Sequence, residues 1–199
     1  MKARERILEA AREEFLNNGY DATSMRCIAE KADINKGLLH YYFKTKDALI
    51  IQVFAETFSE LFSILDKIFD NPSGIEEKIG QVVNEYMSFM LKRQRLPLFI
   101  LNELDRDPEQ HIQRLKKAKV HPPMAKLVRI LEEGKKAGHV RNDLDTKQFI
   151  LNMISLMLFP FVGKPMLKFL HQMDEKSFLQ TIEQRKPEIT DLLIKSLTP

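Results

Sequence analysis

The chain has 199 residues, and its 31 Lys and Arg against 28 Asp and Glu leave a formal charge of only +3, which excludes a strongly basic, tail-like polyanion binder. With 44% apolar and 30% charged residues, and only 7 Gly and 9 Pro, it is neither disordered nor fibrous and carries enough apolar material for a proper core. The single cysteine, Cys27, allows no intramolecular disulfide, and no secretory leader pattern opens the chain, so a cytoplasmic location is expected. The longest strongly apolar run, Phe149 to Val162, contains Asn152, Ser155 and Pro160. It is shorter than the roughly 18 to 20 residues of a membrane span, so it is read as a buried helix and no membrane partner is expected.

Apolar residues recur at steps of three and four almost throughout, and no stretch alternates as a half-buried strand would, so the expected fold is all-α. A first helix places Ile7, Leu8, Ala11, Phe15 and Leu16 on one face and stops at Asn17-Asn18-Gly19. Thr23 stands at the N-cap position of a second short helix over about 24–32, and Asp33 follows as a turn residue. Asn35 caps a third helix over about 36–42. Thr45 opens a much longer one, about 46–70. Beyond the turn signal Asn71-Pro72-Ser73-Gly74, breaks near Pro97, Asp107-Pro108, His121 to Pro123, Gly138, Gly163 to Pro165, and Pro187 cut the remainder into six or seven helices. The organisation is an N-terminal three-helix domain, 1–46, joined by a long helix to a larger C-terminal helical bundle, 47–199.

The second and third helices with their short turn form a helix-turn-helix, a unit whose second helix can enter a DNA major groove. Charge placement strengthens this reading. Lys36 and Lys46 each begin a helix, where the positive end of the macrodipole disfavours a cation. A phosphate bound at each helix start would turn that conflict into an advantage. From Thr23 to Lys46, five cations (Arg26, Lys31, Lys36, Lys44, Lys46) against two acids give a local excess equal to that of the whole chain.

Residues 23–49, TSMRCIAEKADINKGLLHYYFKTKDAL, resemble the helix-turn-helix signature of tetracycline-repressor-like (TetR family) transcription regulators. Ile28-Ala29, Ala32, Ile34, Lys36-Gly37, Leu39, Tyr42-Phe43, Lys46 and Leu49 stand in register, and AGHVRNDLD near residue 140 is similar to the stretch that separates the last two dimer helices of the family. Three positions depart from the pattern. Asp33 replaces a turn glycine, which the left-handed tolerance of Asp permits. His40 replaces a common Tyr, and Leu38 a small or polar residue, so the operator sequence does not transfer. The resemblance implies phosphate contacts from Thr23, His40, Tyr42 and Lys46, and base-edge or groove contacts from Lys36, Gly37, Leu38 and Tyr41. Phe43, Ile28 and Leu39 read as core, and Cys27 as a small buried or half-buried filler.

One helix-turn-helix covers too little DNA for useful specificity, so two are expected across a two-fold axis on a palindromic double-stranded operator, making the protein a homodimer. The resemblance assigns dimerisation to a four-helix bundle, here from about 123–137 with Met124, Leu127, Val128 and Leu131, and about 146–162 with Phe149, Ile150, Met153, Met157 and Phe161; the same stripes could face the intrachain core. Phe58, Phe62, Met87, Met90, Phe99 and Met153 are the candidate lining of a cavity for an unknown small apolar or amphipathic effector, although ordinary core packing explains the same residues. The five histidines lack metal-ligand spacing, and no phosphate loop or nucleophile elbow appears, so no enzyme activity, metal or cofactor is expected. The acids Glu103, Asp105, Asp107 and Glu109 and the basic run 114–119 read as solvated surface. The whole reads as a ligand-responsive, DNA-binding transcription regulator, most simply a repressor. The alternative is an effector-binding or protein-interaction bundle whose head no longer reads DNA.

Overall fold

The computed structural model describes residues 2–119 and 121–199, with only the backbone at His111. The described residues form helices and no strand. In chain order these are α1 (Ala3–Ala22), α2 (Met25–Lys31), α3 (Lys36–Tyr42), α4 (Lys46–Asp70), α5 (Ile75–Lys92), α6 (Leu96–Arg106), α7 (Pro108–Lys117), α8 (Met124–Lys136), α9 (Thr146–Val162), α10 (Lys164–Leu170) and α11 (Glu175–Leu197). The chain folds as two compact units. The first holds the stretch ending at Glu60 together with Arg95–His121, and the second holds Leu61–Gln94 with Pro122–Pro199. The first unit therefore extends well past the expected boundary at residue 46, because α6 and α7 return to it.

In the first unit, Ile7, Leu8, Ala11 and Phe15 of α1 meet Ile28 and Ala29 of α2, Leu39 of α3, and Leu49, Ile50, Val53 and Phe54 of α4 in one apolar cluster, which Phe99 of α6 completes. The start signals act as their chemistry predicts. Asn35 Oδ1 accepts the Leu38 N–H (2.8 Å), and Thr45 Oγ1 accepts the Ala48 N–H (3.0 Å). Asp33 takes φ 50°, the left-handed conformation anticipated for it. Gly19 adopts φ 78° inside α1, so the expected stop there is a kink, with helix assigned on to Ala22. The cap of α2 is Ser24, whose side chain accepts the Cys27 N–H, one residue beyond the expected Thr23.

In the second unit α11 packs on α5 and α9, and α5 also meets α8 and α9. The anticipated break at Pro187 is absent: α11 runs through it, as α9 runs through Pro160. The apolar stripes assigned to a dimer belong largely to this unit's core. Leu127, Leu131, Phe149, Met153, Met157 and Phe161 are buried inside it, Met124 and Ile150 are half-buried, and only Val128 is exposed. A side chain already buried within its own chain has no surface to offer a partner. α9 is apolar almost all round, and its opposite stripe, with Leu151 and Phe159, is the exposed one.

A close approach fixes the α8 end of this unit. A Cβ on Gly134 would lie 2.7 Å from Cγ2 of Val140, itself only 1% exposed and unable to swing away. Gly134→Ala is expected to cost about 1–3 kcal/mol in denaturant unfolding, the usual range for overpacking, and adding Val140→Ala should recover part of the loss relative to Val140→Ala alone. Equal costs of Gly134→Ala in both backgrounds would show that this contact is not the constraint.

Candidate nucleic-acid interface

Helix α3 buries one side chain, Leu39, and turns the others outward. Lys36, Gly37, His40, Tyr41 and Tyr42 are exposed and Leu38 is half-buried, with Tyr41 open at 79% and Tyr42 at 41%. Tyr41 and Tyr42 meet edge to face at 5.4 Å, which steadies two flat side chains that would otherwise be free. Gly37 leaves the backbone open to close approach: the nearest atom to an added Cβ is Asn35 Oδ1 at 3.3 Å, within the turn itself.

The basic cluster divides once side-chain partners are known. Arg26 pairs with Glu30 at 2.8 Å, and Lys31 with Glu13 at 2.8 Å and Glu14 at 3.1 Å. Lys36 and Lys44 are exposed and have no ion pair among the described residues. Lys44 and the exposed cap residue Ser24 were therefore missing from the candidate contacts, although Lys44 was already visible in the local charge excess.

Thr23 and Lys46 both have hydrogen-bond partners within the chain. Thr23 is 1% exposed, and its hydroxyl donates back into α1, 2.8 Å from the Gly19 carbonyl with the Glu14 carbonyl at 3.1 Å. The hydroxyl is thus turned away from solvent. The Lys46 ammonium donates to the carbonyls of Tyr20 (2.9 Å), Thr23 (2.9 Å) and Asp21 (3.4 Å), matching its three protons to the open end of α1. Its conflict with the α4 dipole is thus resolved at the negative end of another helix. Burial and the neighbouring Arg114 charge push the Lys46 pKa below the ordinary lysine value.

Behind this contact lies a charged network. Arg114 of α7, with a side chain only 5% exposed, donates through Nε (3.0 Å) and Nη2 (2.8 Å) to Asp47 Oδ1 and through Nη1 to Glu103 Oε2 at 3.3 Å. Its guanidinium lies 4.0 Å from the centre of the Tyr20 ring, and the Tyr20 hydroxyl donates to Asp47 at 2.9 Å. Burial, reinforced by Asp47, raises the Tyr20 phenol pKa. Burial alone would raise the Asp47 carboxyl too, but hydrogen bonds from Arg114 and Tyr20 outweigh it and hold that pKa below the usual aspartate range. Two surface readings of the sequence are corrected here: Arg114 and Glu103 are both buried. Asp107 serves as the α7 cap, accepting the Gln110 N–H at 2.9 Å. Cys27 is exposed, not a core filler, with its Sγ 3.0 Å from Ser24 Oγ. The side chain of His111, one of the five histidines considered, lies outside the described residues.

The candidate effector residues fall in both units. Phe58 and Phe99 pack with the core of the first, while Met87, Met90 and Met153 are buried in the second and Phe62 is half-buried on α4. The burial of Tyr86 on α5 pushes its phenol pKa up to about 12.

A three-helix reading head, with its second helix-turn-helix element open to solvent and the larger helical unit attached, defines a DNA-binding transcription regulator. Residues 7–53 match the tetR family of bacterial regulatory proteins, and residues 76–191 match the tetracyclin repressor-like C-terminal domain. The chain belongs to the TetR family. It is 27% identical over 164 residues to a probable HTH-type transcriptional regulator, YttP, of Bacillus subtilis, covering 81% of this chain and 78% of the relative. It is 25% identical over 144 residues to the fatty acid metabolism regulator protein of the same organism, covering 71% and 72%. Among solved structures, the regulator FadR from Bacillus subtilis in complex with stearoyl-CoA superposes with TM-score 0.76 at 20% identity, over 97% of this chain and 98% of that one. The ketosteroid regulator KstR2 of Mycobacterium tuberculosis gives TM-score 0.73 at 18% identity, over 100% and 96%. This family and these relatives are transcription regulators, not enzymes.

Arg114→Met leaves the buried Glu103 with only its longer ion pair to Arg106 at 3.8 Å, and should destabilise the first unit by about 3 kcal/mol in chemical denaturation, the lower end of the range for breaking a buried pair. Adding Glu103→Gln should return part of that loss; strictly additive losses would refute the pairing. For Asp47, the lowered native pKa means its contribution is complete above the ordinary aspartate value and drains as pH falls through the native one. The difference in melting temperature between the wild type and Asp47→Asn should therefore be present at pH 7 and shrink towards pH 3.

Proposed function

We propose that this protein is a cytoplasmic homodimeric repressor that reads a palindromic DNA operator through α3 and is released by an amphipathic effector. The observation that carries the DNA reading is the outward face of α3, where Lys36, Gly37, Leu38, His40 and Tyr41 are available for the groove while Leu39 alone anchors the helix. Tyr42, Lys44 and the exposed α2 cap Ser24 flank that face and take the phosphate contacts. Lys46 and Thr23 act indirectly by holding the end of α1.

The proposed dimer face is the exposed side of α9 and α11. Leu151 and Phe159 on α9 and Leu192 on α11 are each about half exposed or more. Between the two helices runs a groove of about 570 Å³ lined by Asn152, Ser155, Leu156, Phe159, Arg185, Leu192, Leu193 and Ser196. Arg185 Nε is buried there without a hydrogen-bond partner. Exposed Glu188, one turn along the same face, also lacks an ion pair among the described residues. Opposite charges on one stripe become partners when a two-fold axis lays α11 against its copy. The effector class is proposed from the relatives, whose names include a fatty acid metabolism regulator and a stearoyl-CoA complex, together with the methionine-rich core of the second unit at Met87, Met90 and Met153.

Selection of duplexes from a random pool at near-physiological salt tests the reading. A palindrome with half-sites about one DNA turn, roughly 34–36 Å, apart is the expected product, and stearoyl-CoA should weaken its binding. Lys36→Ala should change the selected sequence, whereas Lys44→Ala should weaken all duplexes and flatten the salt slope by about one. Sequence-blind recovery from the wild type would overturn the proposal.

A further inference from the structure

Helix α10 is built with its polarity reversed. None of its seven residues is buried, and three of its apolar side chains are open, Met166 at 49% exposed, Leu170 at 61% and Phe169 at 82%, while Leu167 is half-buried. Its lysines face the protein instead. Lys164 Nζ lies 2.5 Å from Glu175 Oε1 and 2.6 Å from Gln94 Oε1, and 5.0 Å from the centre of the Phe178 ring; Lys168 reaches Glu175 Oε2 at 3.1 Å. Two cations converging on one carboxylate in the first turn of α11 hold the helix in this rotation, so it does not roll its apolar side under.

The helix adjoins α9 directly. The two helices meet at a 72° bend around Gly163, where an added Cβ would sit 3.0 Å from Cζ of Phe159. The Phe159 ring thus lies against the hinge. It is both the last member of the exposed α9 stripe that begins at Leu151 and the neighbour of α10. Asn152 and Ser155 interrupt the α9 side of this surface, so its apolar exposure is concentrated at Phe159 and in α10, on either side of the bend.

We infer that α10 is a dimer arm, whose Met166, Phe169 and Leu170 are covered by a second copy of this chain. The inference rests on the proposed α9/α11 dimer face and extends it. That face alone presents few apolar side chains, since polar Asn152, Ser155 and Ser196 take up part of it, whereas a stable interface covers roughly 800 Å² on each partner. An arm joined to the edge of the face supplies the missing apolar area. Under two-fold symmetry each copy also offers its own arm to the other, so the arm's contribution is doubled.

Sedimentation of the full-length protein over a concentration series separates the arm from the face. Phe169→Glu should raise the dimer dissociation constant at least tenfold with the helical circular dichroism unchanged, because the side chain makes no buried contact in its own chain. Leu192→Glu, in the face itself, should give monomer. If Leu192→Glu dissociates the dimer but Phe169→Glu leaves the constant within twofold, the arm falls and the dimer face stands. A wild-type monomer at micromolar concentration overturns both. A dimer indifferent to Phe169→Glu, yet co-sedimenting with phosphatidylglycerol vesicles only when Phe169 is intact, would assign the arm to a lipid surface and overturn the inference.

Discussion

The guanidinium of Arg114 is almost entirely out of water, and an unpaired charge in that position would not be tolerated. Asp47 accepts two of its N–H groups, Glu103 accepts another, and the Tyr20 ring covers its face. Each partner comes from a different helix: Tyr20 from α1, Asp47 from the first turn of α4, and Glu103 from α6. A planar, five-donor group is suited to this arrangement in a way that a lysine is not, because its fork and its flat faces act at once. The three N-terminal helices, two of them only seven residues long, bury a modest core, and the arginine ties them to two helices that arrive much later in the chain. The exposed side of α3 can therefore be almost free of stabilising duty.

A second theme is the use of lysine to close helix ends. Lys46 caps α1, and Lys78, 7% exposed, donates to the Ile68 and Asn71 carbonyls at the end of α4. In both cases the cation sits in the first turns of one helix and serves the carbonyl end of an earlier one, α1 for Lys46 and α4 for Lys78. A lysine at a helix start need not advertise an anion site, since the carbonyl end of a neighbouring helix is an equally good destination. The reverse holds for Lys36 and Lys44, which have no such destination and remain in solvent.

These contrasts explain what was legible in the sequence. The helix-turn-helix could be read residue by residue, since caps at Asn35 and Thr45, the left-handed Asp33 and the single buried face of α3 are local properties. The bounds of α3 and α4 followed for the same reason. The intrachain partners of Thr23 and Lys46 were not legible, because residue type and spacing do not reveal which way a side chain turns when a carbonyl and a phosphate are both acceptable partners. Arg114 was read as surface from its basic neighbours, although its partners stand 11 and 67 residues away. On α9 the failure is one of degeneracy: a helix apolar on all sides carries no phase, and only packing decides which stripe is spent on the core. Pro187 misled for a different reason, since a long helix with many other bonds accommodates one missing donor.

The two-part return of the chain into its first unit bears on how such regulators can be recombined. A chimera made by cutting after the recognition helix, and grafting those residues onto another regulator's body, would leave behind α6 and α7 with Glu103 and Arg114. The transplanted Tyr20 and Asp47 would then face whatever the recipient supplies, and the graft would inherit an unmatched seam. A transferable module of this protein is discontinuous. It needs both the stretch up to Glu60 and Arg95–His121, so exchange between relatives is governed by whether the returning segment carries a compatible cation.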